Sequence, residues 1–394
     1  MMDNKHWLLP EGIDELLPPN ANALEQLRRN LLDLYSSWGY ELVFPPFIEY
    51  LESLLTGTGG DLDIQTFKLT DQITGRTMGI RADITPQVAR IDAHQLRRDC
   101  PTRLCYLGTV LNTRPDGFAG SRSPLQIGAE LYGHAGTESD LEILCLMLET
   151  MEQAGVDDVY LDLGHVGIFR GLAEQAGLDT DQEHALFDAL QRKAVAEIES
   201  LVQNFGVDAE MAGMLRALAE LSGDDALEQA RVRLAGASES VQNAIEELEQ
   251  LAEKLAARRP EVPVHYDLSE LRGYHYHTGV VFAAFAPGLG QELARGGRYD
   301  EIGKVFGRAR PARGFSADLK MLYRLGSAGG QGETCGIYAP ASDEPALLQK
   351  IKELRAQGRR VVCALPGQSG DAQTMGCGET LQKQGEDWVV VALS

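Results

Sequence analysis

Nowhere in the 394 residues is there an apolar run of about 18, the length a helix needs to cross a bilayer, so no transmembrane helix is expected. The opening MMDNKHWLLPE carries an acid at its third position and only two consecutive leucines, which is not the apolar core of a signal peptide. The expected compartment is the cytoplasm, with no membrane partner. Cysteine is sparse: the six residues Cys100, Cys105, Cys145, Cys335, Cys363 and Cys377 contain no C-x-x-C pair, and no H-x-x-x-H partners them. Neither a disulfide framework nor a structural zinc site is supported, and the thiols read as reduced and mostly buried. Positive charge is in deficit too, 36 Lys and Arg against 58 Asp and Glu, for a net charge of −22. Phosphate neutralisation dominates nucleic-acid affinity, so a polyanion would need a local basic patch to bind such a chain.

What is present is ordinary for a folded protein: 44% apolar and 24% charged residues, in a chain long enough for two or three domains at roughly 150 residues each. Leu24, Leu27, Leu31, Leu34 and Trp38 recur at helical spacing before Gly39, which predicts an amphipathic helix over 21–38. Segments 67–69 and 78–81 flank a polar turn with Gly75 and read as a hairpin. Thr85 followed by Pro86 reads as a helix start with threonine as the cap. Two further strands, 104–111 and 125–132, bracket the loop NTRPDGFAGSRS. A helix over 137–154, a strand over 159–163, a long helix-forming stretch over 166–257 and strands over 264–268 and 280–285 follow. After Leu325 a Gly-rich linker precedes a strand, a helix over 344–357 and two more strands, a small α/β unit. The expected class is α+β, built on an antiparallel sheet.

Three segments could carry chemistry. In IRADITP, Asp83 ends a strand, where a carboxylate either faces a pocket or caps the following helix. In LQIGAELY, Gln126, Gly128, Glu130 and Tyr132 share one face of a strand. If that face lines a pocket, an amide and a carboxylate meet one ligand there, with Gly128 leaving room between them; otherwise it faces water. In LRGYHYHTGVVF and RGGRYD, glycines beside arginines let backbone and guanidinium approach an anion, and aromatic rings can wall a planar ligand. His275 and His277 share a strand face with no third ligand in sight, so no metal site is expected.

Taken together, DITPQVARI, RGYHYHTGVVF, GGRYD and GFSADL, in this order and spacing, resemble the catalytic core of histidyl-tRNA synthetase over residues 5–325. The resemblance implies a class II aminoacyl-tRNA synthetase-like antiparallel sheet with flanking helices over 1–325, a helical insertion over about 166–257, and a small C-terminal α/β domain over 335–394. By resemblance, Asp83, Thr85, Gln126, Glu130, Arg272 and Tyr276 match the histidine pocket. Carboxylates suit an ammonium and an imidazole N–H, and Arg272 would answer the ligand's carboxylate. Asp83 stands for the family's Glu, shorter by one methylene, and His277 for its second Tyr. The nucleotide half departs further: Leu111 and Thr113 stand where the family places its phosphate-gripping arginine and the following glutamate, and Met321 stands where an arginine clamps the triphosphate. Without those charges adenylation should fail, unless nearby Arg114 and Arg324 substitute.

The C-terminal unit is short and carries few basic residues: Lys350, Lys352, Arg355, Arg359, Arg360 and Lys383. A kept amino-acid pocket, disabled ATP motifs and a curtailed anticodon domain resemble the regulatory subunits of ATP phosphoribosyltransferase. That resemblance implies a non-catalytic chain that binds L-histidine and conveys feedback inhibition to a short-form catalytic subunit in the first step of histidine biosynthesis. It also implies a homodimer within a hetero-octamer, no nucleic acid, no cofactor in this chain, and magnesium needed by the partner. The rival expectations are an active histidyl-tRNA synthetase or a synthetase-like paralogue acting on another substrate.

Overall fold

A computed structural model describes residues 7–56, 60–115, 120–269, 273–274, 276–327 and 336–393. The chain divides into two compact units, Met1–Leu17 with Leu24–Gly329, and Pro18–Ala23 with Gly330–Ser394.

The first unit is organised by a nine-stranded sheet in the order β1-β5-β6-β12-β11-β10-β7-β9-β8. Its strands are β1 (Glu41–Leu42), β5 (Thr102–Thr109), β6 (Leu125–Tyr132), β7 (Tyr160–His165), β8 (Ser222–Gly223), β9 (Val264–Asp267), β10 (Val280–Phe285), β11 (Ala294–Arg298) and β12 (Ala312–Asp318). Among the described residues of this sheet, the pairs β1 with β5 and β7 with β9 are parallel and the other neighbouring pairs antiparallel. A three-stranded antiparallel sheet joins β2 (Ile48–Tyr50), β4 (Thr77–Ile80) and β3 (Phe67–Thr70). Helices α1 (Asn20–Ser37), α2 (Leu51–Leu54), α3 (Gly60–Gln65), α4 (Thr85–Arg90), α5 (Thr137–Ala154) and α12 (Leu319–Leu325) flank the sheets. The helices α6 (Val166–Gln175), α7 (Thr180–Gln191), α8 (Val195–Asn204), α9 (Ala209–Leu218), α10 (Ala226–Arg233) and α11 (Glu239–Arg258) form the insertion between β7 and β9.

The alternation along β6 sorts the two faces of the sheet. Ile127, Ala129 and Leu131 join the main core with α1, α5 and the insertion helices. Tyr132 points the other way, into a smaller core with Leu104, Tyr106, Tyr299, the α4 residues Val88 and Ala89, and Ile84 just before that helix. Helix α1 buries Leu24, Leu27, Leu31 and Tyr35, a helical stripe, while Trp38 donates its indole N–H to Glu149 at 2.8 Å. Helix α5 is buried nearly all round and stops at Gly155, whose left-handed φ of 72° no β-branched residue would accept.

One expectation is corrected at α4. Thr85 does not cap the helix: Ile84 holds the cap position, and the Thr85 hydroxyl is spent on Tyr106. Asp83 does the capping work instead, its Oδ1 accepting from Thr85 N at 3.0 Å, because a carboxylate two residues back reaches the first free N–H.

In the second unit, β13 (Gly336–Ala339), β14 (Val361–Cys363), β15 (Cys377–Gln384) and β16 (Asp387–Ala392) pair in the order β14-β13-β15-β16, with α13 (Pro345–Ala356) burying Leu347, Ile351 and Leu354. Strand β15 is an addition to the sequence reading. Its residues CGETLQKQ bury only Cys377 and Leu381, too few to signal a strand by pattern.

Candidate functional site

The site grows from the end of β4. Asp83 and Gln126 form a locked pair: Gln126 Nε2 donates to Asp83 Oδ1 at 2.8 Å, and Gln126 Oε1 accepts from Ile84 N at 2.9 Å. Thr85 Oγ1 and the Tyr106 hydroxyl lie 3.0 Å apart. Tyr106 stands opposite Gly128 in the β5–β6 ladder, and a Cβ at 128 would come within 2.4 Å of the Tyr106 hydroxyl. Glycine is therefore required there, leaving the ring over the strand.

Beside this group Glu130 is 1% exposed. Its Oε2 accepts a hydrogen bond from the Tyr299 hydroxyl, while its Oε1 is buried with no partner. Burial, and after it the charge of Asp83, pushes its carboxyl well above the usual range. The hydroxyls of Tyr132 and Tyr276 are likewise buried without a partner. The Tyr276 ring lies 4.9 Å from the Tyr299 ring, and burial followed by the charge of Glu130 raises both unpartnered phenols. An unmade hydrogen bond on a buried polar group costs about 1–3 kcal/mol, so three such atoms in one cluster make it the candidate place for a ligand's polar groups.

Asp83 and Gln126 also line a cleft of about 500 Å³, together with Arg114, Arg295, Met321 and Arg324. Arg324 pairs with Asp14, which Lys320 also approaches at 2.9 Å, and Arg295 reaches Glu292 at 2.9 Å. The expectation of Leu111 and Thr113 on this wall is corrected. Val110, Asn112 and Arg114 line the cleft, because alternation along the extended chain turns 111 and 113 away. Leu111 N instead donates to Arg81 O at 3.0 Å, and the Thr113 hydroxyl to Ile64 O at 2.7 Å. Met321 does face the cleft.

Of the residues singled out from sequence, Asp83, Thr85, Gln126, Glu130 and Tyr276 come together. Arg272 and His275 lie outside the described residues. His277 is not on a strand: its N–H and that of Tyr276 both donate to Gly273 O at 2.8 Å, closing a tight turn in which strand parity does not apply. Among the described residues no group of three His, Cys, Asp or Glu side chains is placed to hold a metal ion. No helix among them is long and apolar enough to cross a membrane. Tyr106 was missed from sequence, and Tyr299 was singled out only as part of the segment RGGRYD, with no link to Glu130. The one signal for Tyr106 was a glycine on the strand predicted to face it.

Comparisons with known proteins meet this geometry. The sequence profile of the histidyl-tRNA synthetase family matches residues 12–322, and that of the ATP phosphoribosyltransferase subunit HisZ C-terminal domain matches residues 334–391. The ATP phosphoribosyltransferase regulatory subunit of Thioalkalivibrio sulfidiphilus (strain HL-EbGR7) is 62% identical over 395 residues, covering 100% of both chains. That of Alkalilimnicola ehrlichii is 59% identical, over 98% of this chain and 97% of the relative. Among solved structures, an ATP phosphoribosyltransferase regulatory subunit/histidyl-tRNA synthetase from Bacillus halodurans C superposes with a TM-score of 0.82 at 28% identity, over 94% of this chain and 95% of the other. Histidyl-tRNA synthetase from Nostoc sp. PCC 7120 shares the fold with a TM-score of 0.78 at 19% identity, over 98% and 97% of the two chains.

Proposed function

This chain belongs to the family of ATP phosphoribosyltransferase regulatory subunits, and from that premise we propose that its buried carboxylate–tyrosine cluster binds L-histidine and conveys feedback inhibition to a catalytic subunit. The chain is a non-catalytic regulatory subunit in histidine biosynthesis. Its partner is a short-form ATP phosphoribosyltransferase, a glycosyltransferase joining ATP N1 to phosphoribosyl pyrophosphate. Magnesium belongs to that partner's reaction, and this chain needs no cofactor of its own. Neither nucleic acid nor membrane enters the proposed role, and the proposed compartment is the cytoplasm.

The observation that carries the ligand reading is the set of unpartnered buried atoms, Glu130 Oε1 and the hydroxyls of Tyr132 and Tyr276. Imidazole is planar, presents N–H donors at its edge and suits a pocket walled by tyrosines with one carboxylate acceptor. Asp83, held by Gln126 and Thr85 N, offers a second carboxylate for the α-ammonium group. Assembly is proposed as a homodimer within a hetero-octamer. Supporting self-association, Leu42, Phe44, Phe47 and Ile48 all stay exposed within one short segment.

Calorimetry with L-histidine tests the pocket. The parent protein should bind, and Glu130→Ala should weaken binding by about 2–5 kcal/mol, roughly 30-fold or more, by leaving the ligand's donor unpaired. Unchanged affinity overturns the assignment. Catalytic-subunit turnover, with and without this protein across a histidine titration, tests the regulatory half. The arginines Arg114, Arg295 and Arg324 on the cleft favour one second reading, a working synthetase. Histidine-dependent exchange of pyrophosphate into ATP would establish that reading against ours.

A further inference from the structure

Between β9 and β10 the described residues Gly273, Tyr274, Tyr276 and His277 meet at a tight turn. Gly273 O accepts from Tyr276 N and His277 N at 2.8 Å each. Gly273 has a left-handed φ of 66°, and a Cβ there would stand 2.5 Å from the His277 ring. At about 100° per residue, side chains two apart on such a turn point to nearly opposite sides. Tyr276 carries its hydroxyl into the buried cluster with Tyr299. Tyr274, 3% exposed, goes the other way into the helical insertion, with its ring centroid 5.3 Å from both Phe169 of α6 and Phe187 of α7.

Two polar groups of the insertion then hold the turn. Arg170 of α6 donates from Nη2 to the carbonyl oxygens of Tyr274 and His277, at 3.1 Å each, and its guanidinium carbon sits 4.9 Å over the Tyr274 ring. Glu183 of α7 accepts the Tyr274 hydroxyl proton in a hydrogen bond. Gripping both carbonyls, one guanidinium fixes where the chain enters and leaves the turn.

We propose that the helical insertion positions the ligand pocket: Arg170 and Glu183 clamp the turn at Tyr274 and His277 so that Tyr276 is presented to the ligand. This rests on the reading of the cluster as a histidine site and deepens it. Arg170 and Glu183 are positioning residues that act through the turn. Linkage makes the relation reciprocal: whatever shifts α6 and α7 changes histidine affinity, and histidine binding biases α6 and α7 equally.

The test uses the full chain and three substitutions. Arg170→Met keeps an apolar stem against the Tyr274 ring and removes both carbonyl contacts. Tyr274→Phe keeps the ring packing and removes the bond to Glu183. Glu183→Gln is the conservative control, since an amide oxygen still accepts from the phenol. Backbone hydrogen exchange at Tyr276 and His277 reads the turn, and calorimetry with L-histidine reads the pocket. Arg170→Met should speed exchange at both amides and weaken histidine roughly tenfold or more; Tyr274→Phe should weaken it about 2- to 10-fold; Glu183→Gln should stay near the parent. A lower melting temperature with unchanged exchange and unchanged affinity, the result of mere structural support, overturns the proposal. A parent that binds no histidine overturns the ligand reading and with it the purpose given to the clamp, while the exchange data still decide whether the clamp exists.

Discussion

The central sheet carries a buried polar cluster on each face, and neighbouring residues feed both. Arg298 and Tyr299 are consecutive, as are Arg313 and Gly314, yet the arginines serve one face and Tyr299 and Gly314 surround Glu130 on the other. On the arginine face Asp140, 1% exposed, accepts from Arg313 Nε at 2.9 Å and Arg298 Nη2 at 2.5 Å. Arg313 also reaches the carbonyls of His134 and Ala135, and Arg298 reaches Glu247 of α11 at 2.6 Å. That carboxyl is held down to about 2, first by His165, whose Nε2 lies 3.5 Å away, and then by Arg298. On the Asp140 side the two arginines and their carboxylates all pair, although His165 Nε2 beside Glu247 makes no hydrogen bond, whereas the Glu130 side keeps three buried atoms with no partner. Burial of charge alone does not distinguish scaffold from site; what does is whether the chain itself supplies the partners.

The largest effect should come from opening the closed cluster. Asp140→Ala strands two guanidiniums, one of them fully buried, and breaking a buried pair from one side costs about 3–5 kcal/mol. The thermal midpoint should fall by about 5 °C or more. A fall within a degree or two would mean that the closed cluster is not structural, and the comparison would break.

Glu130→Gln should act in the opposite direction, with a pH signature. Because the native carboxyl titrates well above its ordinary 4.5, the native state keeps a proton that the unfolded chain releases. Parent stability from this group is therefore full below about 4.5 and falls as pH rises towards the native value, whereas glutamine has nothing to lose. Midpoints of parent and variant compared at pH 4 and pH 8 should show the variant gaining on the parent at the higher pH. A pH-independent difference would remove the claim that Glu130 sits in an uncompensated environment.

How far these clusters were legible in the sequence depends on the range of the interaction. Alternation within β6 is local, and it put Gln126, Glu130 and Tyr132 on one face, as the structure does. Leu111 and Thr113 were placed by resemblance instead of by alternation, and that reading failed past the end of β5 at Thr109. Beyond it the bridge of Thr66 with Asn112 and backbone bonds such as Leu111 N to Arg81 O and Thr113 N to Gln65 O hold the chain, and partners so distant in sequence leave no mark on local pattern. Thr85 looked like a cap because capping is read from residue type. The carboxylate at 83 outcompeted its hydroxyl, which Tyr106 then took. Tyr299 meets Glu130 only because β12 lies between β6 and β11, a fact of sheet order that no window of sequence contains. The pairing itself was not foreseen: Arg298 sits in RGGRYD, read as approaching an anion, while Asp140 and Arg313 look like surface charge until three elements bring them together.

The smallest effect gives the sharpest contrast, because it makes one chemical change on both faces. Tyr35 and Tyr132 are 0% and 1% exposed. The Tyr35 hydroxyl, in the main core, accepts from Thr150 Oγ1 at 3.2 Å, while the Tyr132 hydroxyl has no partner. Replacing either by phenylalanine deletes one oxygen and leaves the ring. At Tyr35 the loss of a made hydrogen bond should destabilise by about 0.5–1.5 kcal/mol. At Tyr132 the deletion removes an uncompensated desolvation, so the empty protein should hold its stability or gain up to about 1 kcal/mol. Histidine should reverse the second sign and leave the first alone. With saturating ligand the parent should be stabilised more than Tyr132→Phe, since the parent's hydroxyl then has something to bond. Urea unfolding of both variants, with and without histidine, measures all four numbers. Two losses of equal size, unaffected by histidine, would show that the unpartnered hydroxyl is an ordinary core group and that the two faces differ only in composition.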